Sequence, residues 1–95
     1  MYLAAADADR IQQKYLAAYR EIARQREGSW IRISTSTNDM SLDLIVTSVH
    51  AGDTADIRQA YLDGRMLGMP VKVTIDAHNL AWGFYRLQDL EAPAA

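Results

Sequence analysis

The chain has 95 residues, of which 49% are hydrophobic, and a formal net charge of −2 at pH 7. It contains no cysteine, which excludes a disulfide-stapled fold and a thiolate metal site. A composition this apolar predicts a folded domain, and the nearly balanced charge does not favour a general nucleic-acid binder.

A pattern of helix followed by two strands occurs twice along the chain. The alternating run 31–35 returns as the run 71–75, and each follows a helical pattern closed by a glycine, Gly28 or Gly68. A polar turn and a second extended segment then follow each run. The sequence therefore predicts two similar α-β-β halves, as an internal duplication would produce.

The first half begins with a helix predicted over residues 7–25, which Gly28 ends. Its apolar side chains follow one helical face; they are Ile11, Tyr15, Ala18, Tyr19 and Ile22. Residues 29–37 and 40–49 then alternate between apolar and polar and flank a turn-prone Asn-Asp pair. They predict a β-hairpin.

The second half begins with a helix that Asp53 or Thr54 caps and that is predicted to continue to about residue 67. Gly64 lies inside this helix, where it costs about 1 kcal/mol relative to alanine. Two alternatives are open for it: it permits close packing on the sheet, or it ends the helix early. Pro70 prevents any continuation because it lacks a backbone donor. The remaining predicted elements are a strand over 71–76, a turn over 77–79 and a strand over 80–90.

These elements predict an α+β fold, with two helices packed on a mainly antiparallel four-stranded sheet in the order α-β-β-α-β-β. In one alternative the two hairpins form separate small sheets, and in another residues 1–6 add an edge strand. We expect one compact domain over residues 1–91 and a flexible tail over 92–95.

The residues that carry catalysis or bind metals form no recognisable set. No serine lies in a G-x-S-x-G turn, no glycine-rich loop matches a phosphate cradle, and no H-E-x-x-H motif occurs. A metal site drawing on His50, His78 and Asp76 or Asp53 would need the two hairpins to meet. Asp53 and Asp56 are explained by capping of a helix. We therefore predict no catalytic residue, no metal and no cofactor.

The last hairpin is unusually aromatic, with Trp82, Phe84 and Tyr85 around Gly83. On a strand, Trp82 and Phe84 would share one face and Tyr85 would lie on the other. A strand that is apolar on both faces is either covered twice or presents one side to a partner. Trp82 and Phe84 are therefore predicted either as core residues or as part of a contact surface. The predicted interface residues are Trp30, Arg32, Trp82, Phe84, Tyr85 and Arg86.

An alternative function is nucleic-acid binding through arginines of the first helix and first strand. The residues in question are Arg20, Arg24, Arg26 and Arg32. A solvated helix face explains the helical charges equally well, because acidic residues interrupt them.

One resemblance to a known family concerns the order of elements. The helical run Tyr15-Leu16-Ala17-Ala18-Tyr19, the stop at Gly28 and the hairpin over 31–46 resemble the small phage head–tail joining proteins of the gpW type. The likeness covers residues 7–67, after which this chain adds a hairpin where that family is short and basic. No functional residue is carried across.

Together these patterns predict a small non-enzymatic module for protein–protein interaction or assembly. Its setting would be a virion joint or the inhibition of a host complex if the chain is phage-encoded. We expect a protein partner or self-association, no membrane, no small-molecule substrate and, because no leader or membrane span is visible, a cytoplasmic location.

Overall fold

The computed structural model describes residues 5–66 and 69–91. Its elements are α1 (Ala5–Ala23), β1 (Trp30–Thr35), β2 (Ser41–His50), a 3₁₀ helix (Thr54–Gln59), β3 (Tyr61–Met66), β4 (Lys72–Asp76), α2 (Ala77–Ala81) and β5 (Tyr85–Leu90). The strands form one sheet in the order β4-β3-β2-β1-β5, in which every neighbouring pair is antiparallel. The predicted α+β class is confirmed. The described residues, however, form a sheet of five strands rather than four, and only one long helix rather than two.

Helix α1 ends at Ala23, earlier than its glycine predicted. The last helical turn is closed by the backbone N–H of Arg24, which donates to Arg20 O at 3.1 Å. Gly28 has φ +86° and donates its N–H to Val46 O at 2.8 Å. Gly28 therefore does not stop the helix; it provides a left-handed bend that leads the chain into β1.

The predicted second helix is wrong beyond its first turns. Asp53 caps as expected, accepting from Ala55 N at 2.9 Å, but the helix it starts is a 3₁₀ helix that ends at Gln59. The residues after it form β3, where Leu62 and Gly64 face the core. Alternation of apolar and polar residues and pairing with β2 outweigh the helical spacing in this segment.

The predicted turn over 77–79 and the first part of the predicted strand over 80–90 are also wrong. Residues 77–81 form the short helix α2, and β5 begins only at Tyr85. The two halves therefore differ, because the β3–β4 hairpin follows a six-residue 3₁₀ helix, whereas the β1–β2 hairpin follows the 19-residue α1. The second hairpin is also followed by a further helix and a single strand, α2 and β5. The interpretation as an α-β-β duplication is not supported, and neither is that of two separate sheets.

Two further sequence predictions fall partly outside the described residues. Residues 5 and 6 belong to α1, whereas the rest of the proposed N-terminal edge strand, 1–4, is not among the described residues. The predicted tail over 92–95 is likewise outside them. Within the described residues, none of the helices is long and apolar enough to cross a membrane.

The core lies between the sheet and the helices. Ala18 and Ile22 of α1 pack with the inward side chains of the strands; the largest fully buried members are Ile22, Ile31, Leu44 and Val46. Helix α2 contacts both edge strands, β4 and β5. Since only the segment 77–84 joins these opposite edges, the sheet must curl around the helices. The other face of the sheet carries no described helix, and we call it the open face.

Candidate functional site

The end of α2 and the bend after it position two aromatic side chains. The Asp76 side chain caps the start of the helix by accepting a hydrogen bond from Asn79 N at 2.8 Å. At the other end, the backbone N–H of Trp82 donates to His78 O at 3.1 Å and completes the last helical turn. Gly83 then takes φ +73°, the left-handed conformation that commonly ends helices. The chain turns here, so Trp82 and Phe84 leave the helix before β5 begins.

Trp82, Phe84 and His78 form an exposed surface that is supported by the buried Tyr15, and we call these four side chains the aromatic patch. The indole Nε1 of Trp82 donates to the Tyr15 hydroxyl at 3.1 Å, and that hydroxyl is hydrogen-bonded to His78 Nδ1 at 2.9 Å. The His78 ring centroid lies 6.3 Å from that of Trp82 and 6.4 Å from that of Phe84. Tyr15 is only 6% exposed and therefore anchors the patch to α1.

The outer rings of the aromatic patch remain accessible to solvent. Trp82 is 44% exposed and Phe84 is 54% exposed. Neither residue is therefore a fully enclosed core residue, which was one of the two predicted roles. Large exposed rings, one of them held by the hydrogen bond from the Trp82 indole to Tyr15, are typical of a surface that contacts another molecule.

Two cations lie against the rings of the patch. Lys14 Nζ is 5.3 Å from the Trp82 ring centroid, and the Arg58 guanidinium is 4.8 Å from that of Tyr15. Both distances fall within the range of cation–π attraction. Among the described residues, neither cation forms an ion pair with a carboxylate. The patch therefore combines aromatic surface with uncompensated positive charge.

The other predicted interface residues lie on different surfaces. Trp30, Arg32 and Arg86 point to the open face, because they alternate with inward-facing neighbours on β1 and β5. Tyr85 lies on the helix-covered side and packs against the core. The predicted sharing of one strand face by Trp82 and Phe84 is wrong, since neither residue is in a strand. The set is thus not one continuous surface.

The arginines of the nucleic-acid alternative are also divided between surfaces. Arg32 is on the open face and pairs with Asp43 at 2.7 Å, which lowers the pKa of that carboxyl. Arg24 is at the end of α1 and pairs with Asp89 at 2.8 Å. Arg20 and Arg26 are exposed near the same helix end. Two of the four charges are therefore compensated, and Arg32 lies across the sheet from the rest.

A polar network surrounds the buried carboxylate of Asp63 on the open face. Asp63 Oδ1 accepts from the Thr74 hydroxyl at 2.7 Å. Its Oδ2 accepts from Ser48 at 3.1 Å and lies 3.2 Å from His50 Nε2 and 3.4 Å from Lys72 Nζ. The hydrogen bond from Thr74 is the main reason that the pKa of Asp63 is lowered.

Serine, histidine and aspartate meet in this network without the geometry of a hydrolase. Ser48 Oγ lies 2.9 Å from His50 Nε2, the same nitrogen that faces Asp63. In a catalytic triad the carboxylate and the serine contact opposite nitrogens of the ring, so that the histidine can relay a proton between them. Here Ser48 also donates directly to Asp63. The arrangement satisfies a buried charge and lacks the two-sided contacts of a triad histidine.

The two histidines considered for a metal site do not converge. His50 stacks on Tyr61 on the open face, with ring centroids 4.2 Å apart, whereas His78 belongs to the aromatic patch on the helix side. Asp76 and Asp53 are both occupied as helix caps. The described part of the chain holds no cluster of three or more residues suited to a metal ion.

A cleft of ≈ 270 Å³ lies between the end of α1 and the ends of β1 and β5. Its lining includes Trp30 and Leu90 beside the Arg24–Asp89 ion pair. The hydrogen bond from Arg24 lowers the pKa of Asp89, and burial raises that of nearby Glu21. Since the charged groups of this cleft already pair with each other, it offers less to a ligand than the aromatic patch does.

Sequence reasoning missed the partners that support Trp82 and Phe84. Helical spacing indicates only a helix face for Tyr15, and no local pattern connects Lys14 or Arg58 with the aromatic hairpin. His78 lies in the predicted turn of that hairpin, but nothing in the sequence indicates its contact with Tyr15. One local signal was available: Asp76 and Gly83 have the spacing of a short capped helix. The contacts from α1 had no such signal, because they join residues far apart in the chain.

The resemblance to phage joining proteins depended on the order helix, hairpin, helix. The described fold departs from that order after the first hairpin, where a 3₁₀ helix and the strand β3 replace the second helix. Comparisons of the chain with protein-family models, with curated proteins and with solved structures find no significant match.

Proposed function

We propose that this chain is a small protein-binding module whose contact surface is the aromatic patch. The observation that carries the proposal is the exposure of Trp82 and Phe84 on a support fixed by hydrogen bonds. Tryptophan is prominent among the residues that dominate the energy of protein interfaces. A virion joint and an inhibitor of a host complex are two settings for such a module.

The fixed support favours binding because little freedom is lost when a partner docks. Trp82 is held through Tyr15, which is itself buried, with only 6% of its surface exposed. Ordering a mobile side chain at an interface costs roughly 0.5–1.5 kcal/mol. A ring already held in place avoids most of that cost, so its burial contributes more fully to affinity.

The charges at the patch favour a partner that carries acidic groups. Lys14 and Arg58 lie against the rings without a carboxylate partner among the described residues. A segment that carries an apolar anchor beside acidic side chains would cover the rings and pair with both cations. The proposed partner is therefore a protein with an acidic, partly apolar surface segment.

A matched pair of variants tests the proposal. Trp82→Ser with Phe84→Ser removes the exposed rings, while Met40→Ser with Met69→Ser removes equally exposed apolar side chains elsewhere. Both variants are expected to fold, as measured by circular dichroism. Proteins that co-purify with the tagged chain from the cells that produce it are then quantified.

The expected result is a protein captured by the unmodified chain and by the methionine variant but lost with the Trp82/Phe84 variant. Its identity would distinguish the two settings named above. Equal capture by both variants would exclude the patch as the contact surface. Lys14→Glu with Arg58→Glu should weaken the same capture, whereas Arg65→Glu on the open face should not.

A further inference from the structure

Strand β5 forms one edge of the described sheet and leaves a row of backbone groups without a strand partner. Ser36 N donates to Phe84 O at 3.1 Å, which identifies this pair as hydrogen-bonded. Antiparallel pairs alternate between hydrogen-bonded and non-hydrogen-bonded positions. Residues 86, 88 and 90 therefore bond to β1, and the N–H and C=O groups of Tyr85, Leu87 and Asp89 point away from it.

We propose that two copies of this chain pair along β5, antiparallel and centred on Leu87. In that register Leu87 lies opposite Leu87 of the second copy, and Tyr85 lies opposite Asp89. The three outward-pointing residues then form hydrogen-bonded pairs with each other, which gives six new backbone hydrogen bonds. The two sheets would join into one continuous sheet of ten described strands.

The side chains of β5 are compatible with this register. On the open face Arg86 would lie opposite the uncharged Gln88, and on the helix side Asp89 would lie opposite Tyr85. No like charges oppose each other, a condition that antiparallel pairing requires. Leu87, which is only half-buried in the single chain, would gain cover from its symmetry mate.

The opposite edge, β4, is less suited to pairing. Its Lys72 and Thr74 side chains already bind Asp63, at 3.4 and 2.7 Å, and Asp76 caps α2. Pro70 precedes the strand, and a lysine on an edge is a common protection against strand addition. The self-complementary register on β5 favours a second copy as the occupant over an extended segment of another protein.

Single cysteines test both the dimer and its register, because the chain contains no cysteine. In the proposed register a Leu87→Cys thiol faces its symmetry mate across a pair with Cα atoms ~5.5 Å apart, within reach of a disulfide. Gln88→Cys places its thiols on diagonal positions ~7–8 Å apart. Under mild oxidation the first variant should form covalent dimer much faster than the second.

Sedimentation equilibrium of the unmodified chain gives the second measurement, with a concentration-dependent dimer as the expected result. Leu87→Pro should abolish the dimer and keep the fold, because the N–H that it removes points away from β1. A chain that stays monomeric at its highest soluble concentration would overturn the proposal and leave the edge to a different protein. Equal cross-linking of the two cysteine variants, or a dimeric Leu87→Pro variant, would overturn it as well.

This inference does not depend on the proposed function. The β5 tests measure self-association of the pure chain, and the capture experiment measures a different protein at the aromatic patch. A failure of either can therefore be told from a failure of the other.

Discussion

The two faces of the sheet are ordered by different interactions. On the helix-covered face, Ile31, Leu44 and Val46 are at most 2% exposed and pack under α1. On the open face, the most buried group is a carboxylate, Asp63, which is 6% exposed and surrounded by donors from β2 and β4. One face is stabilised by apolar burial and the other by cross-strand polar contacts.

The difference shows which surfaces of this small domain remain available for contact with another molecule. The polar groups of the open face are largely paired with one another, as in the Arg32–Asp43 ion pair. The large exposed apolar side chains lie outside the strands, in turns and next to strand ends; they are Met40, Met69, Val71, Trp82 and Phe84. A partner is therefore expected at the strand ends and edges rather than on the open face.

The largest effect is expected on the helix-covered face. Ile22→Ala removes a side chain that is 0% exposed at the centre of the core. Its loss should lower the free energy of unfolding by roughly 2–5 kcal/mol, from lost apolar burial and the cavity left behind. Chemical denaturation measures the change. A loss similar to that of an exposed Gln12→Ala control would contradict the described core.

On the open face, a large loss of stability is expected from substitution of one residue, Asp63. Asp63→Asn keeps the shape but removes the charge that binds Lys72 and the hydroxyls of Ser48 and Thr74. We expect a loss of about 1–3 kcal/mol, which is typical when a charged hydrogen-bonding partner is lost. Asp39→Asn, at an exposed turn, is the control. Equal stability of the two variants would mean that the network contributes nothing.

The same carboxylate predicts how stability depends on pH. The pKa of Asp63 is lower in the folded chain than the ordinary value of about 3.9. Its contribution is therefore complete above that value and is lost as the pH falls through the lower, folded pKa. The stability difference between the unmodified chain and Asp63→Asn should be constant near neutrality and shrink in acid. A constant difference down to the acid transition would contradict this assignment.

A smaller loss of stability is expected from substitution of Gly64, where β3 lies close to the backbone of β2. A Cβ added at Gly64 would lie 3.2 Å from the carbonyl oxygen of Ile45, a backbone atom that cannot move aside cheaply. Gly64→Ala should therefore destabilise the fold by about 1 kcal/mol, at the low end of overpacking costs. Gly52→Ala, which meets nothing within 4 Å, is the matched control in thermal unfolding. A stabilised Gly64→Ala variant would support the helix that the sequence predicted there.

The smallest effect is expected from the Arg32–Asp43 ion pair. Both side chains are well exposed, so water and salt screen their attraction. The two single alanine variants and the double variant should unfold at nearly the same midpoint in moderate salt. A large coupling in this double-mutant cycle would show that the open face depends on ion pairs as much as on Asp63.

Local patterns predicted the elements that depend on near neighbours in the chain. The long helix, the first hairpin and the capping role of Asp53 were all predicted from spacing and turn residues. The segment 61–66 was assigned wrongly because its apolar spacing fits a helix and a strand alike. Pairing of Leu62 with Val49 and Ile75 on either side makes it a strand.

The candidate site shows the same division. The sequence singled out Trp82 and Phe84 as unusual, but placed them in a strand. Their support comes from Tyr15 and Lys14 on α1, which no local pattern connects with them. The burial of Asp63 was equally invisible, since an isolated aspartate in an alternating run is ordinarily a solvated residue.

By itself the sequence determined an α+β class, a long amphipathic helix, a first hairpin and an aromatic segment near the end of the chain. The tertiary structure alone decided the five-strand order, the conversion of the predicted second helix into β3, the buried charge on the open face and the exposure of Trp82. The physical reason is the separation along the chain of the residues that make the deciding contacts. Helical spacing and turns are set by residues a few positions apart, whereas burial and strand partners are set by contacts between distant segments.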